Sequence, residues 1–326
     1  MAAAYRASFP GGIKARLQRG ISLRIDVHVH VGEVPNHIPL WWGRELYRPW
    51  KYTYDPDGTR RERPATREPV SPETLLRDME EAGLDFACIM AYDFRRTSPH
   101  PEKPNPHVPN DYVAGLARKH PDKFIAVAGI DPMRGISEAL DELDRCINEL
   151  GMKALKLMPT YNHFDPGDPT LYPLYERAIG YGIYVQFHMG WTPSVNAPMK
   201  FQPPHLLDPV GIRYPELKVI VAHTGWPWWE EGVCLVAKHP NFYAEMAYWC
   251  TLPPETLLRA LLMCQDLVGL DRVLYGSEYR LCIPKNFMAT YEQINQVAKR
   301  LDLPEIPREA IANILGNNAA RLLGLV

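Results

Sequence analysis

Along this chain, short runs of apolar residues alternate with Pro-, Gly- and Asp-rich loops and with segments whose apolar positions recur every three or four residues. The runs fall at 24–30, 86–92, 124–130, 153–158, 183–188, 217–223, 242–247 and 272–278. Most are apolar almost throughout, the pattern of parallel strands covered on both faces. Helical periodicity occupies 71–83, 109–121, 136–151, 169–182 and 254–269, with two more segments around 286–300 and 308–323. Ser71, Pro72 and Gly83 supply an N-cap, a first helical residue and a stop for the first of these.

Strands alternating with helices in this number predict a single-domain (β/α)8 TIM barrel over residues 24–326, preceded by an N-terminal arm over 1–23. The alternative is an open doubly wound sheet. Such a sheet, if it bound a dinucleotide, would carry G-x-G-x-x-G after its first strand, and none follows His30. Neither a P-loop nor a G-x-S-x-G elbow occurs. One segment breaks the rhythm: residues 33–70 form a long loop insertion after the first strand, rich in Trp, Tyr and Arg. A loop of that length in a compact domain predicts a lid or a subunit contact.

Composition narrows the functional classes. The net charge of −2 over 326 residues, without charge blocks, argues against nucleic acid as a partner. No window is apolar enough for a membrane span, and the N-terminus lacks the apolar stretch of a signal peptide. The six cysteines form no C-x-x-C pair and fall mostly in apolar runs, so they read as reduced core residues of a cytoplasmic protein.

Chemistry collects at the strand ends. His28 and His30 alternate on the first strand and therefore point to one face, and Gly32 lets the backbone turn away after them. His188 ends the fifth strand, His223 the sixth and Glu278 the eighth. A barrel collects the C-terminal ends of its strands in one cavity. Neutral imidazoles with a carboxylate suit a divalent metal, Zn first and Mn second, and three or four protein ligands leave a position for water or substrate. A metal in such a site lowers the pKa of bound water to about 7. Taken alone, His223 also reads as a hydrogen-bonded structural histidine.

The ordered set I-D-x-H-x-H, a histidine on the fifth strand, A-H-x-G-x-P-W after the sixth and G-[ST]-[DE]-Y after the eighth resembles the amidohydrolase superfamily. It is most similar to the amidohydrolase-related branch that includes aminocarboxymuconate semialdehyde and resorcylate decarboxylases. The resemblance covers nearly the whole chain after the arm. It implies that His28, His30 and His188 bind one metal ion and that His223 is the catalytic histidine. Glu278 stands where most members carry Asp, as ligand or catalytic acid. Lys156 matches a lysine on the fourth strand of the branch; it reads as a packing or substrate-carboxylate residue, or as a buried lysine paired with an acid such as Asp131.

Substrate-binding candidates are Trp42, Arg44, Trp191, Trp226 and Arg280, with Trp41, Tyr92, Phe187 and Trp228 as further pocket residues. Aromatic walls with a few cations suit a planar anionic ring. The implied activity is a metal-dependent hydrolase acting on a small carboxylated, aromatic or ring-derived compound. The alternative is a non-oxidative decarboxylase of the same family; further alternatives are a hydratase and a non-catalytic metal-stabilised scaffold. A homodimer is the expected assembly.

Overall fold

A computed structural model describes residues 22–62, 71–98, 102–279 and 281–325. Eight strands form one parallel sheet in chain order: β1 (Ile25–His30), β2 (Phe86–Met90), β3 (Phe124–Gly129), β4 (Ala154–Leu157), β5 (Val185–His188), β6 (Val219–Ala222), β7 (Phe242–Glu245) and β8 (Val273–Leu274). The sheet curls back on itself: Val27 N donates to Tyr275 O at 3.1 Å, and Val29 bridges Tyr279 in parallel, joining the last strand to the first. The predicted TIM barrel is therefore present, with each strand one to several residues shorter than its apolar run.

Helices cover the outside. The first, α1 (Leu40–Tyr47), and α2 (Pro72–Ala82) both follow β1. In α2 the side chain of Ser71 accepts from Thr74 N at 3.2 Å, and Gly83 ends the helix, as its sequence predicts. A large apolar cluster joins the strands to these helices. A smaller one is built mainly of strand residues, among them Ile25, Cys88, Val127, Ile220 and Leu274, and the C-terminal helix. The buried polar residues Lys156, His188 and Glu245 lie at the C-terminal ends of β4, β5 and β7. The apolar core thus gives way to chemistry on one face of the barrel.

Three expectations are corrected here. Residues 33–62 are not an irregular loop: they contain α1 and a hairpin of Tyr52–Tyr54 with Arg60–Glu62. The rest of the predicted insertion, 63–70, lies outside the described residues, as does the arm up to residue 21. Second, a helix over Trp229–Lys238 escaped the sequence reading. Its apolar stretch GVCLVA carries no polar residue, because Cys234 occupies the exposed face, so its period is hidden. Third, the cysteines are not all reduced. Cys250, beyond β7, and Cys282, beyond β8, form a disulfide with Cα atoms 6.1 Å apart. Adjacent strands deliver the two loops to one place, which a sequence separation of 32 conceals. Cys88, Cys146 and Cys264 are free and buried as expected, whereas free Cys234 is exposed. No helix among the described residues is long and apolar enough to cross a membrane.

Candidate active site and metal centre

Alternation along β1 sends Asp26, His28 and His30 to the same side. Gly32, at φ 144°, then turns the chain sharply; a Cβ there would come within 2.9 Å of Val108 Cγ2. His28 Nε2 and His30 Nε2 lie 3.2 Å apart. Glu278 faces both, with Oε2 3.0 Å from His28 Nε2 and Oε1 3.1 Å from His30 Nε2. These three residues can offer ligand atoms that all lie within 4.8 Å of one another. His188 enters from β5 and His223 from just after β6, with His188 Nδ1 3.1 Å from His223 Nε2. His223 Nε2 is also 3.9 Å from Glu278 Oε2.

His30, His188, His223 and Glu278 therefore line one cavity with His28 buried beneath them, but they do not form one arrangement. His28, His30 and Glu278 form the tight set. His188 faces His223 through Nδ1, while its other nitrogen, Nε2, is buried without a hydrogen-bond partner among the described residues. Backbone strain marks the same place: His223, Thr224, Tyr248 and Glu278 have φ of 60°, 47°, 56° and 55°. Side chains other than glycine occupy that region only where surrounding structure compels it, and such residues cluster at functional sites.

The electrostatics favour neutral imidazoles at His30, His188 and His223 beside an anion. Burial holds His188 and His223 well below the ordinary histidine range. Burial lowers His30 as well, against the pull of Glu278. Burial also works against the charged form of His28, but Glu278 and Glu245 outweigh it and raise this histidine. For Glu278, burial pushes the carboxyl upward, yet His28, His30 and His223 hold it well below the usual carboxylate range. Lys156 has no exposed route to water, and burial brings it down to about 8. Its Nζ has no hydrogen-bond partner among the described residues. The pairing with Asp131 is not formed: that carboxylate accepts from Arg96 Nε at 2.9 Å instead.

The donor set fits a divalent cation. Buried imidazole nitrogens approach one another and one carboxylate, and an orphaned His188 Nε2 stands in the same cavity. Nitrogen and oxygen donors of this kind match zinc and, with more oxygen character, manganese.

Above the cluster opens a cavity of about 270 Å³, near the lower end of small-molecule sites at roughly 300–1,000 Å³. Trp42, Arg44 and Trp191 line it as predicted, together with Tyr92. Trp226 is not among the lining residues; it packs behind Trp50 and Trp191, at ring-centroid distances of 6.2 and 6.1 Å. Trp228 does not line the cavity either, and Trp41 belongs to a neighbouring surface cleft, where Nε1 donates to Pro104 O at 3.1 Å. Phe187 is core, edge-on to Tyr175. Arg280 lies outside the described residues.

Sequence reasoning missed five participants. Trp50, Phe94, Tyr161 and Tyr248 line the cavity, and Glu245, at the end of β7, lies 3.1 Å from His28 Nδ1. Glu245 had a usable signal. It is the single acid in the seventh apolar run, at the strand end where the other runs carry their chemistry.

Comparison with known proteins agrees with this fold. A family model described as amidohydrolase matches residues 25–325. The chain is similar to 2-amino-3-carboxymuconate-6-semialdehyde decarboxylase of Dictyostelium discoideum, with 24% identity over 249 residues, 66% of this chain. That match spans 65% of the relative's own length. Among solved structures, an uncharacterised TIM-barrel protein of Bordetella bronchiseptica superposes with a TM-score of 0.69 at 25% identity, covering 92% of this chain and 98% of that one. The crystal structure of a dihydroxybenzoic acid decarboxylase of Polaromonas sp. JS666, with bound manganese and 2-nitroresorcinol, gives 0.59 at 18% identity, covering 93% and 97%; at that identity the likeness concerns the fold.

Proposed function

The chain belongs to the amidohydrolase family, and from that premise we propose that it is a divalent-metal enzyme removing CO2 from a small carboxylated, ring-type compound. Hydrolysis, which the sequence puts first, stands second. The curated relative is a decarboxylase. The observation that carries the reading is the aromatic chamber: Trp42, Tyr92, Phe94, Tyr161 and Tyr248 line it, and it opens directly onto His30, His188, His223 and Glu278. Flat apolar walls suit a ring.

In our reading His28, His30, His188 and Glu278 hold the ion, zinc or manganese. When bound, it supplies Lewis acidity toward a substrate oxygen. The chain's own residues do the rest. The aromatic walls orient the ring and exclude water from the carbon that loses CO2. The electron pair of the broken C–C bond stays on that carbon, so one proton must arrive there. His223 is the residue we assign to that transfer. Burial favours its neutral form. The neutral imidazole takes up a proton from solvent and, as the imidazolium, delivers it to the carbon; the same residue would serve the hydrolytic alternative by taking a proton from water. Trp42, Arg44 and Trp191 contact the substrate, with Lys156 beneath as a buried positive group. The expected setting is cytoplasmic, as a homodimer.

The test uses carboxyl-labelled aromatic acids in D2O and, separately, in H2¹⁸O. Decarboxylation sends the label into CO2 and leaves one solvent deuterium on the product carbon. Product carrying ¹⁸O, with the carboxyl label retained, would overturn this reading in favour of hydrolysis.

A further inference from the structure

Glu245 lies beneath the chamber, with no exposed surface and no part in the cavity lining. Its Oε2 is 3.1 Å from Nδ1 of His28 and 3.1 Å from the backbone N of His223. A carboxylate has acceptors only. Nδ1 of His28 therefore carries a proton toward Glu245, and the ring turns its other nitrogen, Nε2, toward His30 and Glu278. The Gln186 amide, with Nε2 3.3 Å from the same Nδ1, meets this demand equally with its oxygen turned inward, since the two amide ends exchange by a flip.

The second bond concerns shape. The chain leaves β6 through His223 and Thr224, both in the left-handed region. Strand β7 and its loop hold that turn at three further points: Thr224 Oγ1 donates to Glu245 O at 3.0 Å, Trp249 Nε1 donates to His223 O at 3.1 Å, and His223 Nδ1 lies 3.4 Å from Ala247 O. The chain just after β8 leaves room for the arrangement. A Cβ on Gly276 would overlap Glu245 Oε1 and come within 2.9 Å of His28 Cβ.

We infer that Glu245 is a positioning residue shared by two functional histidines. It fixes His28 in the tautomer that frees Nε2 for a divalent ion, and it pins the turn that presents His223. The inference rests on the proposed role of His28 as a ligand, and carboxylates behind ligating histidines typically change metal affinity 10–100-fold when removed.

Zinc alone is the probe. The affinity of the metal-free full chain is measured by chelator competition for wild type, Glu245→Gln and Glu245→Asp, with a thermal melt to establish that each is folded. The Gln variant keeps shape and an acceptor but loses charge; it should bind zinc about 10- to 100-fold more weakly. The Asp variant keeps charge with shorter reach and should fall between. Hydrogen exchange should quicken at the His223 amide in both variants while the β6 amides stay protected, a local effect that general destabilisation would not produce. Folded variants with wild-type zinc affinity and unchanged His223 exchange would overturn the inference. If only the Asp variant folds, the same result in it alone does so. Wild type that binds no zinc would instead overturn the metal reading on which this one stands.

Discussion

The floor and the wall of the chamber are built by different physics. The floor consists of strand ends, where His28, His223 and Glu245 have no exposed surface and are held by directed hydrogen bonds to one another. The wall comes largely from residues 33–62 and the loops after β4, β5 and β7, and rings meet there through faces and edges. Trp50 approaches Trp191 at 5.4 Å and Tyr248 at 5.1 Å, and Trp42 lies 5.8 Å from both Phe94 and Tyr161. Hydrogen bonds specify angle and tautomer, whereas aromatic contacts tolerate small shifts and accept many flat partners. On the proposed function, the difference would give reaction type to the floor and substrate choice to the wall. It also predicts that substitutions in the two regions leave different kinetic signatures.

The largest effect belongs to the floor. His28→Ala combined with His30→Ala should remove both bound metal and turnover, read by elemental analysis beside an activity assay. The barrel core lies elsewhere, so the variant should still melt cooperatively. Full metal occupancy in the double variant would break the assignment of the floor as a metal centre. Next in size is His223→Ala. It should retain the metal and lose roughly two to four orders of magnitude in kcat with little change in KM, as expected for a proton-transfer group. Loss of metal would turn His223 into a ligand, and undiminished turnover would return it to the role of a hydrogen-bonded structural histidine.

The floor was more legible than the wall, and for the same reasons. Period-two alternation binds His28 and His30 to one face before any fold is known, and a barrel gathers strand ends, so His188, His223 and Glu278 follow. Glu245 hid because its partner is 217 residues away in sequence, and a lone acid ending an apolar run looks like an ordinary polar terminus. The Asp131–Lys156 pairing failed for a related cause: which cation reaches a carboxylate depends on loop geometry, and Arg96 arrives first. On the wall, composition told that aromatic residues matter but not which ones face inward. Trp42 does, Trp41 beside it turns to another cleft, and Trp226 packs behind its neighbours. Within 33–62 the helix and hairpin carry too few turns to stand out from an irregular stretch.

The smallest expected effect sharpens the comparison most. Arg44 lines the chamber but is exposed to solvent, at the end of α1 rather than on a strand. If the wall selects substrate by contact alone, Arg44→Ala removes an attraction felt equally by bound substrate and transition state. KM for an anionic substrate should then rise while kcat, metal content and melting temperature stay put. Exposed charge pairs contribute about 0.2–1 kcal/mol, so the rise should be only about 1.5- to 5-fold, shrinking as salt is added because the Debye length falls to about 8 Å at physiological ionic strength. Arg44→Lys keeps the charge without the planar fork and should recover part of the loss. A neutral substrate of the same shape should not distinguish the variants. The division between floor and wall gives way if Arg44→Ala lowers kcat instead. An exposed wall residue would then be taking part in the transition state, and the segment bearing α1 would have to close over the metal centre during turnover rather than merely border it.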